Sequence, residues 1–507
     1  MRIFNFTFAF ICQSIMFRYF TVLLCILLFG AVQLLFSQET VNIASGRGEL
    51  ILSIQKLVKD NDLKNASVSF FAQKVKSKQI VADLNSDLSL VPASTMKLVT
   101  TSAALNVFGS SYKFSTILQY DGEIDSNHTL NGNIYIKGGG DPTLGSALFA
   151  DSLGQYSFFK YCTQAVSLLG IKKINGSVIA DESIFHADVI PSTWTWGDIG
   201  NYFGAGACGL SIFDNCYEIE FESGDKPGDS TFIKIVFPEI PYLELKNEVK
   251  SSENPNDNSS IFGAPNAYNH IAKGTIPLGQ KSFKVKGAIP NPAFLTAIFL
   301  DQSLRDSGII IAERPHTNSN NKNRRKDFYV DQSPKLDSIV YYTNLKSINS
   351  YAENLLNHLG LEIKNNSETV FGAQALKEFW QSKGMNTEGL FIADGSGLSR
   401  ANGITAKQIT YILEFMHSSK EFDSFYHSLP IAGKTGSLAN MLKGTSAEGN
   451  LRAKSGYMSR VRSYAGYVSN KKGEVIAFTF IINNYNCSAS AMKQKIEKVI
   501  SGLVDVE

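Results

Sequence analysis

Cysteine, tryptophan and histidine are scarce, with 6, 3 and 7 of them among 507 residues. No two cysteines stand in C-x-x-C spacing with companion histidines, so zinc and dithiol redox chemistry are not indicated and neither metal nor cofactor is expected. Cys162, Cys208, Cys216 and Cys487 remain beyond the N-terminal segment. A chain this large does not need staples, so they are expected as free thiols, with Cys208–Cys216 as the one pairing open in an oxidising compartment. An excess of one charge is lacking too: 48 basic against 46 acidic residues leave +2. That excludes the concentrated basic surface of a nucleic-acid binder. The single basic run, Asn318 to Lys326, reads as a solvated loop.

Long apolar runs are missing except near the start. There Arg18 precedes the apolar stretch Phe20 to Phe36, and the chain turns polar at Ser37-Gln38-Glu39-Thr40. Residues 1–37 are therefore expected as a signal peptide, or as an uncleaved anchor that keeps the protein at a membrane, with Met16 an alternative start. Cys25 follows Leu24, where lipidation needs a small residue, so it is read as part of the apolar segment.

A chain of this length needs more than one packed unit, because single cores stop growing near about 250–300 residues. Helical periodicity over Gly48 to Asp60 is followed by strand-like runs at Ala66 to Lys74 and Gln79 to Asn85, then by a helix opening near Pro92. From Tyr112 to Pro290 the texture is β-rich and full of turn residues, which reads as an insertion. Helices return at Phe294 to Ser307, Ser347 to Gly360, Gly372 to Lys383 and Thr405 to Met416. Three consecutive strands (Asn450 to Tyr457, Arg462 to Ser469, Val475 to Ile482) and a helix from Ala489 end the chain. The expected class is α+β, an antiparallel sheet flanked by helices from opposite ends of the chain.

Ser94 and Lys97 lie at i and i+3 on the helix start, so the amine can take the hydroxyl proton. The pattern alone is cheap, since Ser53/Lys56 and Ser157/Lys160 also match. Context singles out Ser94: an S-x-N, Ser347-Ile348-Asn349, and a Lys-hydroxyl-Gly triplet lie downstream. Ser347 can relay a proton and Asn349 can hold a peptide backbone, although a simple helix cap would account for the same letters. Two triplets compete for the third role. Lys434-Thr435-Gly436 has the consensus letters but loop-like surroundings, whereas Lys454-Ser455-Gly456 lies on a strand before two more strands. A triplet that grips a carboxylate and offers the next N–H, that of Tyr457, to an oxyanion needs a strand lining the cleft. Lys454 is the expected choice. Asp394-Gly395-Ser396-Gly397 offers another serine, but on a turn with no histidine signal nearby, and is given a structural role.

Taken together, Pro92-Ala93-Ser94-Thr95-Met96-Lys97, Gly140-Asp141-Pro142-Thr143-Leu144, Trp194-Thr195-Trp196, Lys346-Ser347-Ile348-Asn349, Ala393 to Arg400 and Leu429-Pro430-Ile431-Ala432-Gly433 resemble the class C low-molecular-mass penicillin-binding proteins. These are D-alanyl-D-alanine carboxypeptidases and endopeptidases. The resemblance implies a transpeptidase/β-lactamase-like domain formed by 44–111 and 291–507, interrupted at 112–290 by two small β-rich subdomains. It implies Ser94 as the acylated nucleophile and Lys97 as base. Ser347 and Asn349 would relay the proton and position the substrate, with Lys454 and Ser455 binding the terminal carboxylate. Backbone N–H groups of Ser94 and Tyr457 would form the oxyanion hole. In the family, L-P-x-A-G precedes the catalytic triplet by about twenty residues, which again selects Lys454. Ile348 stands where Asp is frequent and Ser455 where Thr is usual, and neither change removes a required group. The implied partners are peptidoglycan peptides and, as covalent inhibitors, β-lactams; the implied location is outside the cytoplasmic membrane. A serine β-lactamase and a non-catalytic wall-binding protein are the competing readings.

Overall fold

A computed structural model of the chain describes residues 48–185, 190–317 and 324–506. The leader expectation falls outside these residues, as does most of the basic run. Of that run, Arg325 is not solvated. Its guanidinium is bonded to Asp181 and lies 3.9 Å from the centre of the Tyr135 ring.

Two separated parts of the chain build one antiparallel sheet. The strands are β1 (Ser67–Lys74), β2 (Ile80–Leu84), β3 (Arg452–Met458), β4 (Val461–Ser469) and β5 (Val475–Asn483), in spatial order β3-β4-β5-β1-β2. β5 reads Val-Ile-Ala-Phe-Thr-Phe-Ile-Ile-Asn, a near-continuous apolar run suited to a strand covered on both faces. Helices α1 (Gly48–Val58) and α6 (Ala489–Ser501) cover one face, packing Leu50, Ile54, Met492 and Ile496 with Phe70, Phe478 and Phe480. The other face carries α2 (Met96–Phe108), α3 (Asn349–Lys364), α4 (Thr369–Ser382) and α5 (Ala406–His417). Their Leu98, Leu355, Trp380 and Ile409 share a core with Ala477 and Ile481 of β5. α2 is buried from Met96 to Leu105, as a helix without a polar face must be. The α+β class and the pairing of N- and C-terminal helices agree with the sequence reading.

The interrupting region is nested. Strand Ser115–Tyr120 starts a five-stranded sheet and Lys326–Gln332 returns to pair with it antiparallel. Between them, Cys216–Glu222, Phe232–Phe237 and Phe283–Ala288 form a smaller sheet, and Glu244–Ser252, Ser260–Phe262 and Asn269–Pro277 another. The expected return to the catalytic part at 291 is therefore too early. Helix Pro292–Asp306 buries Leu295, Leu300 and Leu304 in the core of the interrupting region, and the return follows Gln332. Helical texture identified the element, but periodicity does not say which core a helix faces. Helix Ser157–Leu168, with Phe158, Phe159 and Cys162 inward, also lies inside the stretch read as β-rich. The four described cysteines are free thiols.

Candidate active site

Residues 93–95 form a single 3-10 turn after Pro92 and run directly into α2, so Ser94 sits beside that helix's N-terminus. The turn is clamped from several sides. Asn483 on β5 accepts from Val91 N–H at 2.9 Å and donates to the Val91 carbonyl at 3.0 Å. The Ser463 hydroxyl on β4 donates to the Pro92 carbonyl, which also accepts from the Thr95 hydroxyl at 2.8 Å. A side chain at Gly456 would come within 2.6 Å of that carbonyl oxygen and 2.2 Å of Ser463 Oγ, so glycine lets β3 close on the turn. Ala93 holds φ of 48°, a left-handed conformation that only such clamping maintains. Ser94 itself is half-buried.

Lys97 is fully buried, and its Nζ has three partners: Ser94 Oγ at 3.0 Å, Asn349 Oδ1 at 2.5 Å and the Ser396 carbonyl at 2.7 Å. Two of these can only accept hydrogen bonds, while the serine hydroxyl can donate. A neutral amine, with two N–H bonds and one lone pair, satisfies that set completely. Burial pulls the Lys97 pKa down to about 7, against the opposing pull of Asp394 and Glu353. Lys454 is held well below its ordinary range by burial first and by Lys97 second.

Ser347 is no helix cap: α3 starts at Asn349, after an Ile348 with no capping side chain, and Ser347 adopts φ of 61°. Its hydroxyl instead accepts from Lys454 Nζ at 2.8 Å, and the same amine reaches the Ser455 carbonyl at 2.8 Å. Lys454 is fully buried on the sheet's edge strand β3. Ser455 Oγ donates to Ser437 Oγ at 2.6 Å, and exposed Tyr457 has the Arg462 guanidinium 4.1 Å from its ring centre. Lys434 is elsewhere in kind: 56% of its side chain is exposed and its Nζ pairs with Glu448 at 2.7 Å. The structure thus joins Ser94, Lys97 and Asn349 by hydrogen bonds, joins Lys454 to Ser347 two residues before Asn349, and leaves Lys434 out of both sets.

Several supporting groups escaped the sequence reading. Glu353, buried on α3 one turn after Asn349, accepts from Gly395 N–H at 3.0 Å and Ser396 N–H at 2.8 Å, fixing the carbonyl that Lys97 uses. Burial and then the nearby Asp394 charge raise its pKa to about 8. Asp394 accepts from Trp194 Nε1, Gly397 N–H and Asn402 Nδ2, each at 2.7 Å. The Asp-Gly-Ser-Gly turn is structural, as expected, yet through the Ser396 carbonyl it touches the lysine itself. Asn349 Nδ2 donates to the Phe203 carbonyl at 2.7 Å, so the interrupting region orients the amide whose oxygen faces Lys97. The i, i+4 spacing of Asn349 and Glu353 was the one readable signal among these.

Comparison with known proteins supplies the family. The model of the D-Ala-D-Ala carboxypeptidase 3 (S13) family matches residues 50–504. The chain belongs to this family. Among S13 relatives, it is 27% identical over 444 residues to the D-alanyl-D-alanine carboxypeptidase DacB of Haemophilus influenzae, covering 85% of this chain and 88% of that one. It is 26% identical over 451 residues to the D-alanyl-D-alanine carboxypeptidase of an Actinomadura species, covering 86% and 81%. The crystal structure of penicillin binding protein 4 (dacB) from Haemophilus influenzae superposes with a TM-score of 0.77 at 25% identity, over 90% of this chain and 100% of that one. A structure of that protein complexed with a β-lactam shares the fold, with a TM-score of 0.72 at 23% identity.

Proposed function

We propose that this S13 chain is a serine D-alanyl-D-alanine carboxypeptidase/endopeptidase that hydrolyses peptidoglycan stem peptides and cross-links through an acyl-enzyme on Ser94. The observation that carries the assignment is the set of three partners around Lys97 Nζ, two of them acceptors only and the third the Ser94 hydroxyl. Ser94 Oγ attacks the carbonyl of the penultimate D-alanine as Lys97 takes its proton. The oxyanion meets the backbone N–H groups of Ser94 and Tyr457, next to the α2 N-terminus. When the C–N bond breaks, the proton that Lys97 took passes through the Ser347 hydroxyl to the leaving amine, which leaves Lys97 neutral again, while Lys454 Nζ holds the Ser347 oxygen in place. The leaving residue's carboxylate sits against Lys454 and Ser455, and its arrival favours the protonated form of an amine whose pKa burial pulls well down. Water then attacks the ester, with Lys97 again as base.

A β-lactam offers the same nucleophile a strained amide and acylates it. The substrate and the apolar run after Arg18 together support action outside the cytoplasmic membrane. Among the described residues no helix is long and apolar enough to cross a membrane.

Fluorescent penicillin and purified muropeptides test the reading together. Wild type is expected to label durably at one probe per chain, to release D-alanine from pentapeptides and to convert cross-linked dimers to monomers. Ser94→Ala should lose all three. Rapid turnover of the label would point to a β-lactamase, and undiminished acylation of Ser94→Ala would remove the nucleophile assignment.

A further inference from the structure

Where the interrupting region meets the segment 346–350, a cleft of about 540 Å³ opens. Its catalytic-side wall includes Ser347 and Asn349, and the opposite wall carries Tyr202, Phe203 and Phe237. Cations line it unevenly. Lys284 is neutralised by Glu218 at 2.7 Å, and the Asp214 carboxylate is occupied by the Tyr351 hydroxyl at 2.6 Å. Lys286 and Lys346, both exposed, have no ion-pair partner among the described residues. The cleft therefore pairs aromatic surface with two exposed lysines outside any ion pair, Lys286 also feeling the Asp214 carboxylate, a combination suited to a peptide that carries carboxylates.

Its position decides which peptide. Resting on the proton-relay role proposed for Ser347, the leaving amine departs on the Ser347 side. When the leaving group is free D-alanine, nothing extends further. When a cross-link is cut, the leaving amine belongs to a second stem peptide whose remainder, with its own terminal carboxylate, must lie somewhere beyond Ser347. We infer that this cleft is the subsite for the carboxylate-bearing leaving stem of a cross-linked peptide, with Lys286 and Lys346 as its anion contacts. The subsite gives the chain its endopeptidase activity and takes no part in release of D-alanine. The step balances as a hydrolysis: the D-alanyl carbonyl to amine bond breaks, water supplies oxygen to the acyl side, and the proton goes to the departing amine.

The experiment measures kcat and KM of the full chain on two substrates, a pentapeptide monomer releasing D-alanine and a cross-linked dimer yielding monomers. Lys286→Glu should lower kcat/KM on the dimer about tenfold, through KM, while D-alanine release stays within about twofold of wild type. Wild type acting on a dimer with amidated leaving-stem carboxylates should show the same KM penalty, a result that does not depend on the variant folding. Equal effects of Lys286→Glu on both substrates, or indifference of wild type to amidation, would overturn the subsite. Failure of wild type to hydrolyse either substrate would instead sink the enzymatic reading on which it rests.

Discussion

The strand that carries Lys454-Ser455-Gly456 and the turn that carries Lys434-Thr435-Gly436 contain nearly the same letters, and their surroundings differ in every respect that matters chemically. Lys454 is fully buried with its amine on Ser347 and the Ser455 carbonyl, whereas Lys434 is half exposed and tied to Glu448. In the turn the threonine hydroxyl accepts from Ile431 N–H at 2.9 Å, closing the loop on itself. On the strand, Ser455 Oγ stays at the cleft edge against Ser437. Lys434 spends its amine on a half-exposed ion pair away from the cleft. Two buried lysines with neutral hydrogen-bond partners have their proton affinity pulled down by desolvation, so their charge responds to what docks between them.

Ways to break this contrast run from the cleft outward. Lys97→Ala should lose about 10²–10⁴-fold in the rate of penicillin acylation while keeping the thermal transition, because a general base contributes in that range. Near-normal acylation at neutral pH would point to a different base. Lys454→Ala should lower kcat/KM for D-alanine release by about 10–100-fold, the equivalent of a charge-assisted contact of roughly 1.5–3 kcal/mol. A loss smaller than that of Lys434→Ala would reverse the assignment of the two triplets.

The pH dependence of acylation by a neutral β-lactam sharpens the same comparison. Attack needs the unprotonated amine, and the Lys97 pKa is about 7. The rate should therefore level off above that value and fall about tenfold per pH unit well below it. A profile rising unchanged to pH 10 would mean an amine that desolvation does not discharge. Smallest of all, Lys434→Ala should leave muropeptide hydrolysis near wild type and shift stability by no more than about 1 kcal/mol, as exposed ion pairs do. A loss of activity there would show that the turn reaches the reaction after all.

Much of the site was readable because its parts are local. The proline before Ser94, the i, i+3 pair, the S-x-N opening a helix and a lysine on the first of three consecutive strands each declare themselves within a dozen residues. Context even ranked the imperfect triplet above the perfect one. Other features gave no such sign. Nothing around Glu353 says that it will hold Gly395 and Ser396, and nothing around Phe203 marks its carbonyl as the partner of Asn349. Backbone groups carry no letters.

By itself, then, the sequence determined the elements, the sheet's α+β setting and the side chains able to do the chemistry, since periodicity, turn residues and motif spacing act over short stretches of chain. Tertiary structure alone decided which of them meet. It set the return from the interrupting region after Gln332 rather than at 291, because only strand pairing with Ser115–Tyr120 shows which core the helix Pro292–Asp306 belongs to. It also buried the Lys97 amine and drew its pKa down to about 7, because α2 lies enclosed between the sheet and helices drawn from residues more than 200 positions away.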